Sequence, residues 1–253
     1  MQGQGGRGRA VRLRAILRGP VLWVGLLFAA LVLFMPALAP VFAWAFPGYT
    51  PPVYPASFLS LWLSHAGLVA VSSLNAAFVA NGAAIFVTRP AGREFRPIAN
   101  SLAAIGQTFP PAAVLAVAVP VVGFGSMPTL IALTLYGLLP ILENAIAGLE
   151  GVPPAVREAA QGMGLSGVQM LRQVELPLAA PVIMAGIRTS VIVNIGTATI
   201  GSTVGTLTLG TPIINGLVSE KLNYIVQGAA VVGLFAILTD LVFERIERRL
   251  RVA

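Results

Sequence analysis

The chain has 253 residues, of which 57% are hydrophobic and 10% are charged, and its mean hydropathy is +0.86. These values lie outside the range of soluble globular domains and indicate an all-α integral membrane protein, because only helices satisfy their own backbone in such apolar segments. The absence of cysteine excludes disulfide bonds, thiolate metal ligands and cysteine nucleophiles.

The first element in chain order is a tract rich in Gly and Arg over residues 1–14, which predicts a disordered cytoplasmic arm. We do not interpret it as part of a cleaved signal sequence, because the apolar stretch that follows is too long. A membrane-spanning helix needs about 20 apolar residues. Six segments meet this requirement and are expected to form helices, several of them kinked by proline: 21–45, 64–88, 97–120, 127–148, 177–200 and 224–243.

The distribution of basic residues predicts the orientation of these spans. All but two of the sixteen lysines and arginines flank the spans on one side; the exceptions are Lys221 and Arg188. Basic loops are retained in the cytoplasm, so both termini and the loop 152–177 should be cytoplasmic. The net charge of +7 is therefore a topology signal, and no nucleic-acid partner is expected because no aromatic and basic binding face is visible.

Missing residues exclude several classes of enzyme. A phosphate-binding P-loop needs the lysine of GxxxxGK[ST], and the single lysine, Lys221, lies in the sequence SEKL. His65 is the single histidine, so sites with two histidines are excluded, and we expect it to be an ordinary interfacial residue near Trp62. The chain is therefore expected to have no catalytic residue, no metal site and no cofactor of its own, and its energy must come from a partner.

The loop between the fourth and fifth spans is short, partly polar and punctuated by Pro and Gly. Pro153 and Pro154 interrupt the preceding helix, and Pro154 can occupy the first turn of a new one. An apolar face with helical spacing follows, made of Val156, Ala159, Ala160 and Met163. The sequence therefore predicts a short amphipathic helix, which either rests on the lipid surface or enters a groove of a partner. We favour the groove, because the face is small and alanines permit close approach.

Two glycines and a capping box are expected to shape the rest of this loop. Gly162 and Gly164 should end the short helix, since glycine adopts positive φ readily. Ser166 and Gln169 have the spacing of a capping box and predict a second short helix. Val168, Leu171 and Val174 should share a face of it, before Pro177 begins the fifth span.

The loop also contains a motif with defined spacing: EAA at 158–160, three residues, Gly164, nine residues, Val174, one residue, then Leu176 and Pro177. This spacing resembles the cytoplasmic loop of ATP-binding-cassette (ABC) importer permeases, in which isoleucine is usual at the position of Val174. The resemblance implies a type I importer permease fold and a loop that docks on an ATPase. It assigns the coupling role to Glu158, Ala159, Ala160, Gly164, Val174, Leu176 and Pro177.

Phrases outside the loop resemble the permeases for osmoprotectants such as glycine betaine, choline and carnitine. They are QTFP at 107–110, LLPIL at 138–142, ELPL at 175–178 and GIRT at 186–189. The chain departs from that group after the fifth span, where a GAGGLG-like phrase is replaced by VGTLTLG at 204–210. The resemblance covers about residues 60–248 and implies four kinds of partner: two ATPase subunits that bind ATP and Mg²⁺, an extracytoplasmic binding protein, a second permease and the lipid bilayer.

Polar residues inside the spans outline a candidate solute pathway. Such residues tend to face the bundle interior or a water-filled cavity. Alternatively, they form hydrogen bonds between helices. The candidates are Asn75, Asn81, Gln107, Ser190, Asn194 and Thr197, of which the last three lie on one face of the fifth span.

Arg188 should lie about 16 Å into the bilayer if the fifth span begins at Pro177. An unpaired arginine is costly at that depth, so it should pair with an acidic residue or extend towards the interface. Glu143 and Asp240 are the two acidic residues that could reach it from neighbouring spans.

Taken together, these features predict a polytopic permease of the bacterial inner membrane. Residues 1–57 would form the arm, the first span and an outer loop, 58–243 the transport domain, and 244–253 a basic tail. The alternatives are an ABC permease for another small solute such as an amino acid, a secondary transporter or channel driven by an ion gradient, and a membrane scaffold without transport.

Overall fold

The computed structural model describes residues 19–250, which form helices joined by turns and contain no β-strand. The predicted arm 1–14 and residues 251–253 of the tail lie outside this range. The α-helices of the described part are α1 (Pro20–Phe34), α2 (Ala39–Ala45), α3 (Phe58–Val87), α4 (Arg96–Thr108), α5 (Pro111–Val122), α6 (Ser126–Glu150), α7 (Pro154–Gly162), α8 (Gly167–Met170), α9 (Leu176–Thr197), α10 (Thr211–Val218) and α11 (Leu222–Leu250).

Five helical segments are long and apolar enough to cross a membrane, and one bent pair of helices raises the number to six. The five are Pro20–Ala45, Phe58–Val87, Ser126–Glu150, Gly167–Val204 and Leu222–Leu250. Each segment overlaps one predicted span, and the bent pair occupies the place of the third. The all-α class and the order of the spans are therefore confirmed. α11 also includes residues 244–250 of the predicted basic tail.

The third span is an elbow and not one kinked helix. α4 and α5 meet at an angle of 95°, with Phe109 and Pro110 at the break. Phe109 adopts an extended conformation, as expected for a residue before proline, and Pro110 and Pro111 both lack the N–H that would continue the helix. Two consecutive prolines therefore turn the chain sharply where sequence analysis predicted a kink.

The fifth span begins earlier than predicted. α8 passes into α9 through a π-helical turn, Leu171–Glu175, so that one helical segment runs from Gly167 to Val204. Pro177 is the second residue of α9 and directly follows the π-helical turn, at a point where its missing N–H cannot continue the α-helical hydrogen-bond pattern. The second short helix of the loop is thus an extension of the fifth span.

α6 lies at the centre of the bundle and packs along both α3 and α9. The shared core contains many alanines, which allow helix backbones to approach closely. At one crossing only glycine fits, because a Cβ on Gly186 would lie 2.7 Å from the carbonyl oxygen of Pro140. The main core cluster consists of Ala76, Ala80, Ala84, Val87, Ala103, Ile141, Leu142, Ala145, Ile146, Leu149 and Ala179.

The first span packs on the last one through aromatic side chains. The ring of Phe28 on α1 lies 5.7 Å from both Trp62 of α3 and Phe235 of α11. The segment that follows the first span is attached to the start of α11, where the side-chain amides of Asn223 and Gln227 each donate to the carbonyl of Pro52 at 2.8 Å. The first span therefore belongs to the same bundle as the rest.

Candidate coupling surface and polar clusters

The loop helix α7 begins and ends as its sequence predicts. It starts at Pro154, and Gly164 follows its end with φ +79°. The N–H of Leu165 donates to the carbonyl of Ala160 at 3.2 Å, and the N–H of Gly164 donates to that of Gln161 at 2.9 Å. This pair of bonds is a Schellman motif, which satisfies carbonyls at the helix end and requires the left-handed conformation at Gly164.

α8 is fixed at its start by the predicted capping box. Ser166 Oγ accepts from the backbone N–H of Gln169 at 3.4 Å, and Gln169 Oε1 accepts from the backbone N–H of Ser166 at 2.9 Å. The two bonds satisfy backbone donors that the first helical turn leaves unpaired. The loop is therefore an ordered pair of helices with a glycine corner between them.

Exposed apolar side chains lie on both helices of this pair. We call Val156, Ala159, Met163 and Val168 the docking face; Met163 is 73% exposed and Val168 is 62% exposed. Ala160 was expected on the same face but is buried beneath the helix, where it packs inwards. The exposed stripe is thus narrower than the spacing suggested, and an apolar surface of this kind on a polar loop is typical of a protein interface.

The other motif residues divide into surface and structural positions. Glu158, Gly164 and Pro177 are exposed, whereas Val174 and Leu176 are half-buried. Leu176 packs against the main core cluster. Part of the motif therefore forms the surface of the loop and part of it attaches the loop to the bundle.

A buried carboxylate that we did not single out from the sequence lies beside this surface. Glu175 is 2% exposed and forms ion pairs with Arg89, from the loop after α3, and with Arg157 of α7. Arg157 also donates to the carbonyl of Leu149 near the end of α6. The charged residue in the otherwise apolar sequence VELP was a sequence signal for this site. Its partners could not be inferred from the sequence, because Arg89 and Arg157 are distant along the chain.

Two of the candidate pathway residues are enclosed between helices. Ser190 and Asn194 are fully buried, and the Asn194 side-chain amide donates to Ser73 Oγ at 3.1 Å. A Cβ on Gly137 would lie 2.6 Å from Ser190 Oγ, so the backbone of α6 abuts this pair. Both residues lie in the seam between α3, α6 and α9, where Asn194 forms an interhelical hydrogen bond and the Ser190 hydroxyl has no hydrogen-bond partner within the described residues.

The remaining candidates do not converge on one cavity. Asn81 bonds to the carbonyl of Ala77 in its own helix at 2.7 Å, and Gln107 bonds to the carbonyl of Tyr136 at 3.2 Å, joining α4 to α6. Thr197 is half-buried and Asn75 is exposed on α3. Among the six candidates, Asn75 is thus the most open to an adjacent subunit or solute.

Arg188 has two acidic partners on α11. Its Nε lies 2.6 Å from Asp240 Oδ1, and its Nη1 lies 3.3 Å from Glu247 Oε2. Asp240 was named from the sequence, whereas Glu247 was missed although it lies seven residues further on the same helical face. Glu143, the other residue named, lies near Arg96, Asn100 and Glu150 and does not contact Arg188.

His65 is not the interfacial residue that we expected. It is fully buried, its Nε2 lies 3.1 Å from the carbonyl oxygen of Ile195, and its Nδ1 accepts from the backbone N–H of Leu209 at 3.2 Å. Since Nδ1 accepts a bond and Nε2 faces a carbonyl, the proton lies on Nε2 of a neutral ring. His65 therefore joins α3 to α9 and to the segment before α10.

Comparison with known families decides what this arrangement of helices belongs to. Residues 80–252 match the model of the binding-protein-dependent transport system inner membrane component. The chain belongs to this family. It is a membrane permease subunit of ABC importers, and the loop described above is the loop that resembles their ATPase contact.

Relatives of this permease include proteins named for osmoprotectants. The chain is 36% identical to the osmoprotectant import permease protein OsmY of Salmonella typhimurium over 223 residues, which cover 88% of this chain and 93% of that protein. It is 46% identical over 147 residues to the choline transport system permease protein OpuBB of Bacillus subtilis, covering 58% of this chain and 68% of that one.

Solved structures share the fold at low identity. The chain is similar to an inward-facing MetNI methionine ABC transporter, with a TM-score of 0.66 and 20% identity over 74% of this chain and 93% of that chain. An amino acid ABC transporter crystallised with histidines gives a TM-score of 0.64 at 18% identity, over 86% of this chain and 98% of that chain. At this identity the similarities show that the chain shares the fold of these ABC transporter chains.

Proposed function

We propose that this permease imports an osmoprotectant, such as glycine betaine, choline or carnitine, across the bacterial inner membrane. The observation that carries this proposal is the 36% identity to an osmoprotectant import permease over 93% of its length. A choline permease and a glycine betaine, carnitine and choline permease of Bacillus subtilis, 46% and 44% identical, point to the same class of solute. The structural neighbours named for amino acids are only 18–20% identical and support no amino-acid substrate.

We assign the docking face to an ABC ATPase. Val156, Ala159 and Met163 present apolar surface on a short helix, which suits insertion into a groove of a partner. The surface is too small to hold the loop firmly on lipid, and Glu158 beside it adds a charge that a protein partner can pair. Two ATPases that bind ATP and Mg²⁺ would dock on two such loops, one loop in each of two permease subunits.

The second permease subunit would be another copy of this chain or a paralogue, and a solute-binding protein would deliver the substrate from the other side. The positive charge on one side of the spans supports a cytoplasmic location for both termini and for the docking face. Closure of the ATPases on ATP would then move both docking faces and reverse the side to which the solute path opens.

A quaternary ammonium solute suits the neutral polar groups of this chain. Such a cation carries no N–H donor, so hydroxyl and amide groups can line its path without binding it tightly. Asn75, the one candidate pathway residue that is exposed, is neutral, whereas Ser190 and Asn194 are enclosed between helices. Selection would then rest on the binding protein, where aromatic rings can recognise the cation.

Uptake into proteoliposomes tests the proposal. The permease would be reconstituted with an ABC ATPase and a solute-binding protein of an osmoprotectant importer, and labelled glycine betaine, choline and carnitine would be supplied with ATP inside the vesicles. We expect ATP-dependent uptake of at least one of them and none with a non-hydrolysable nucleotide. ATP-dependent uptake of an amino acid, with none of the three osmoprotectants transported, would contradict the substrate class and leave the importer assignment in place.

A further inference from the structure

Glu175 is a buried acidic residue near the C-terminal end of the loop 152–177, which we call the coupling loop. Its side chain is 2% exposed, and it lies at the end of the π-helical turn through which α8 passes into α9. A carboxylate at such a position is stable as an anion only when cationic partners replace the water that it has lost. The residues that pair with Glu175 therefore cannot separate from it without leaving a buried charge.

The two partners of Glu175 come from different parts of the chain. Arg89 follows the end of α3 and contacts Oε2, whereas Arg157 on α7 has its Nε 3.1 Å from Oε1. The contact of Arg157 Nε is electrostatic and lacks the alignment of a hydrogen bond. Both arginines keep about a third of their side chains exposed, so the carboxylate is the buried member of the cluster.

Arg157 extends the cluster to a fourth element. Its guanidinium donates to the carbonyl of Leu149 in the last turn of α6, where helix carbonyls lack intrahelical partners and carry partial negative charge. Arg157 of α7 thus contacts both the last turn of α6 and Glu175, which directly precedes α9. The cluster joins α7 directly to the three helices that form the centre of the bundle.

We propose that Glu175 is a positioning residue that makes α7, the end of α3 and the start of α9 move as one rigid body. This inference rests on the proposed docking of an ATPase on α7. Breaking a buried ion pair by removing one partner is strongly unfavourable, so a displacement of α7 is passed to α3 and α9 rather than absorbed in the loop. Glu175 is the last residue of the π-helical turn, and such turns occur often at functional sites.

Distances between spin labels test the rigid body directly. The chain has no cysteine, so cysteine pairs can be introduced without background: Gln161→Cys on α7 with Leu178→Cys on α9, and Gln161→Cys with Gly82→Cys on α3. All three positions are exposed. In the assembled transporter we expect both distances to stay constant when ATP binds. With Glu175→Gln added, both distributions should broaden or shift on ATP binding.

Transport per ATP gives the functional readout. Glu175→Gln should leave the ATPase bound to the permease and reduce the solute imported per ATP by about tenfold, a size typical of coupling between distant sites. The matched control is Glu150→Gln, which removes the carboxylate of the exposed pair with Arg96 at the same end of the bundle. The control should change neither the label distances nor the transport per ATP.

The possible outcomes distinguish a failure of the rigid-body proposal from a failure of the docking proposal. The rigid-body proposal would be overturned if the label distances change on ATP binding in the chain that retains Glu175. It would also be overturned if Glu175→Gln changes neither the label distances nor the transport per ATP. Either result leaves the docking proposal in place. Failure of the ATPase to bind the native chain would overturn the docking proposal instead. If Glu175→Gln does not reach the membrane, the label distances in the cysteine variants that retain Glu175 test the rigid-body proposal alone.

Discussion

Arg188 on α9 and Asp240 on α11 are joined by a contact of 2.6 Å between Nε and Oδ1, in the half of the bundle that contains the coupling loop. Glu247, seven residues further along α11, accepts from the same guanidinium at 3.3 Å. The arginine thus extends along α11 between two carboxylates and forms an ion pair across the two helices. This arrangement avoids the cost of an isolated charge within a span.

A double-mutant cycle on this pair should reveal coupling between the two helices. We expect Arg188→Gln and Asp240→Asn to couple by about 1 kcal/mol in the free energy of unfolding, a size within the range for residues in direct contact. The measurement is thermal unfolding of the purified permease in detergent. The pair Arg248 and Glu244, on the exposed surface of α11, is the control and should couple by only about 0.3–0.5 kcal/mol. Equal coupling of the two pairs would contradict the structural role of Arg188.

Gly164 should be needed for its backbone conformation. Its φ is +79° and the space around its Cβ position is empty, so Gly164→Ala adds strain without a clash. We expect a cost of about 1 kcal/mol in the docked loop conformation, and hence an affinity for the ATPase that is lower by about fivefold. Gly162→Ala is the control, because that glycine is helical and equally unobstructed. Titration of the ATPase against each variant measures the binding affinity. An equal loss of affinity in both variants would show that the positive φ of Gly164 is not the cause.

Charge on the docking face should prevent ATPase binding. Ala159→Asp or Met163→Asp places a carboxylate where apolar contact is expected, and the desolvation of that charge should weaken binding by at least about tenfold. Gln161→Asp adds the same charge on an exposed position of α7 away from the face. Co-purification of the ATPase with each variant distinguishes them. Normal binding of both face variants would remove this surface from the interface.

The orientation can be checked with single cysteines. Ser219→Cys follows α10 on the predicted outer side, and Gln161→Cys lies on α7 on the predicted cytoplasmic side; both positions are exposed. A membrane-impermeant thiol reagent should label position 219 in intact cells and position 161 only after the membrane is opened. The native chain contains no cysteine and provides the blank. The reverse pattern of labelling would invert the topology.

Features that depend on local sequence were predicted well. The capping box of Ser166 and Gln169, the corner at Gly164 and the apolar lengths of the spans each depend on residues within a few positions of one another. The motif that identified the family is equally local. These signals are strong because propensity, capping and hydropathy act along the chain before tertiary contacts form.

Features that depend on tertiary contacts were not predictable in the same way. His65 is bonded to the backbones of Ile195 and Leu209, more than a hundred residues away, and this contact could not be inferred from its position in a span. Glu175 likewise lies between arginines from two separate loops. A polar residue in a span is compatible with a solute path or with an interhelical bond, and only packing decides between them.

The elbow between α4 and α5 has a consequence for the surroundings of the subunit. The carbonyls of Gly106 and Gln107 cannot receive the bond from the residue four positions later, because those residues are Pro110 and Pro111. Carbonyl oxygens without donors are not tolerated against hydrocarbon, but they are compatible with protein or water. We therefore expect the elbow, and the apolar groove of about 590 Å³ beside it, to lie on the side of the subunit that an assembled transporter encloses.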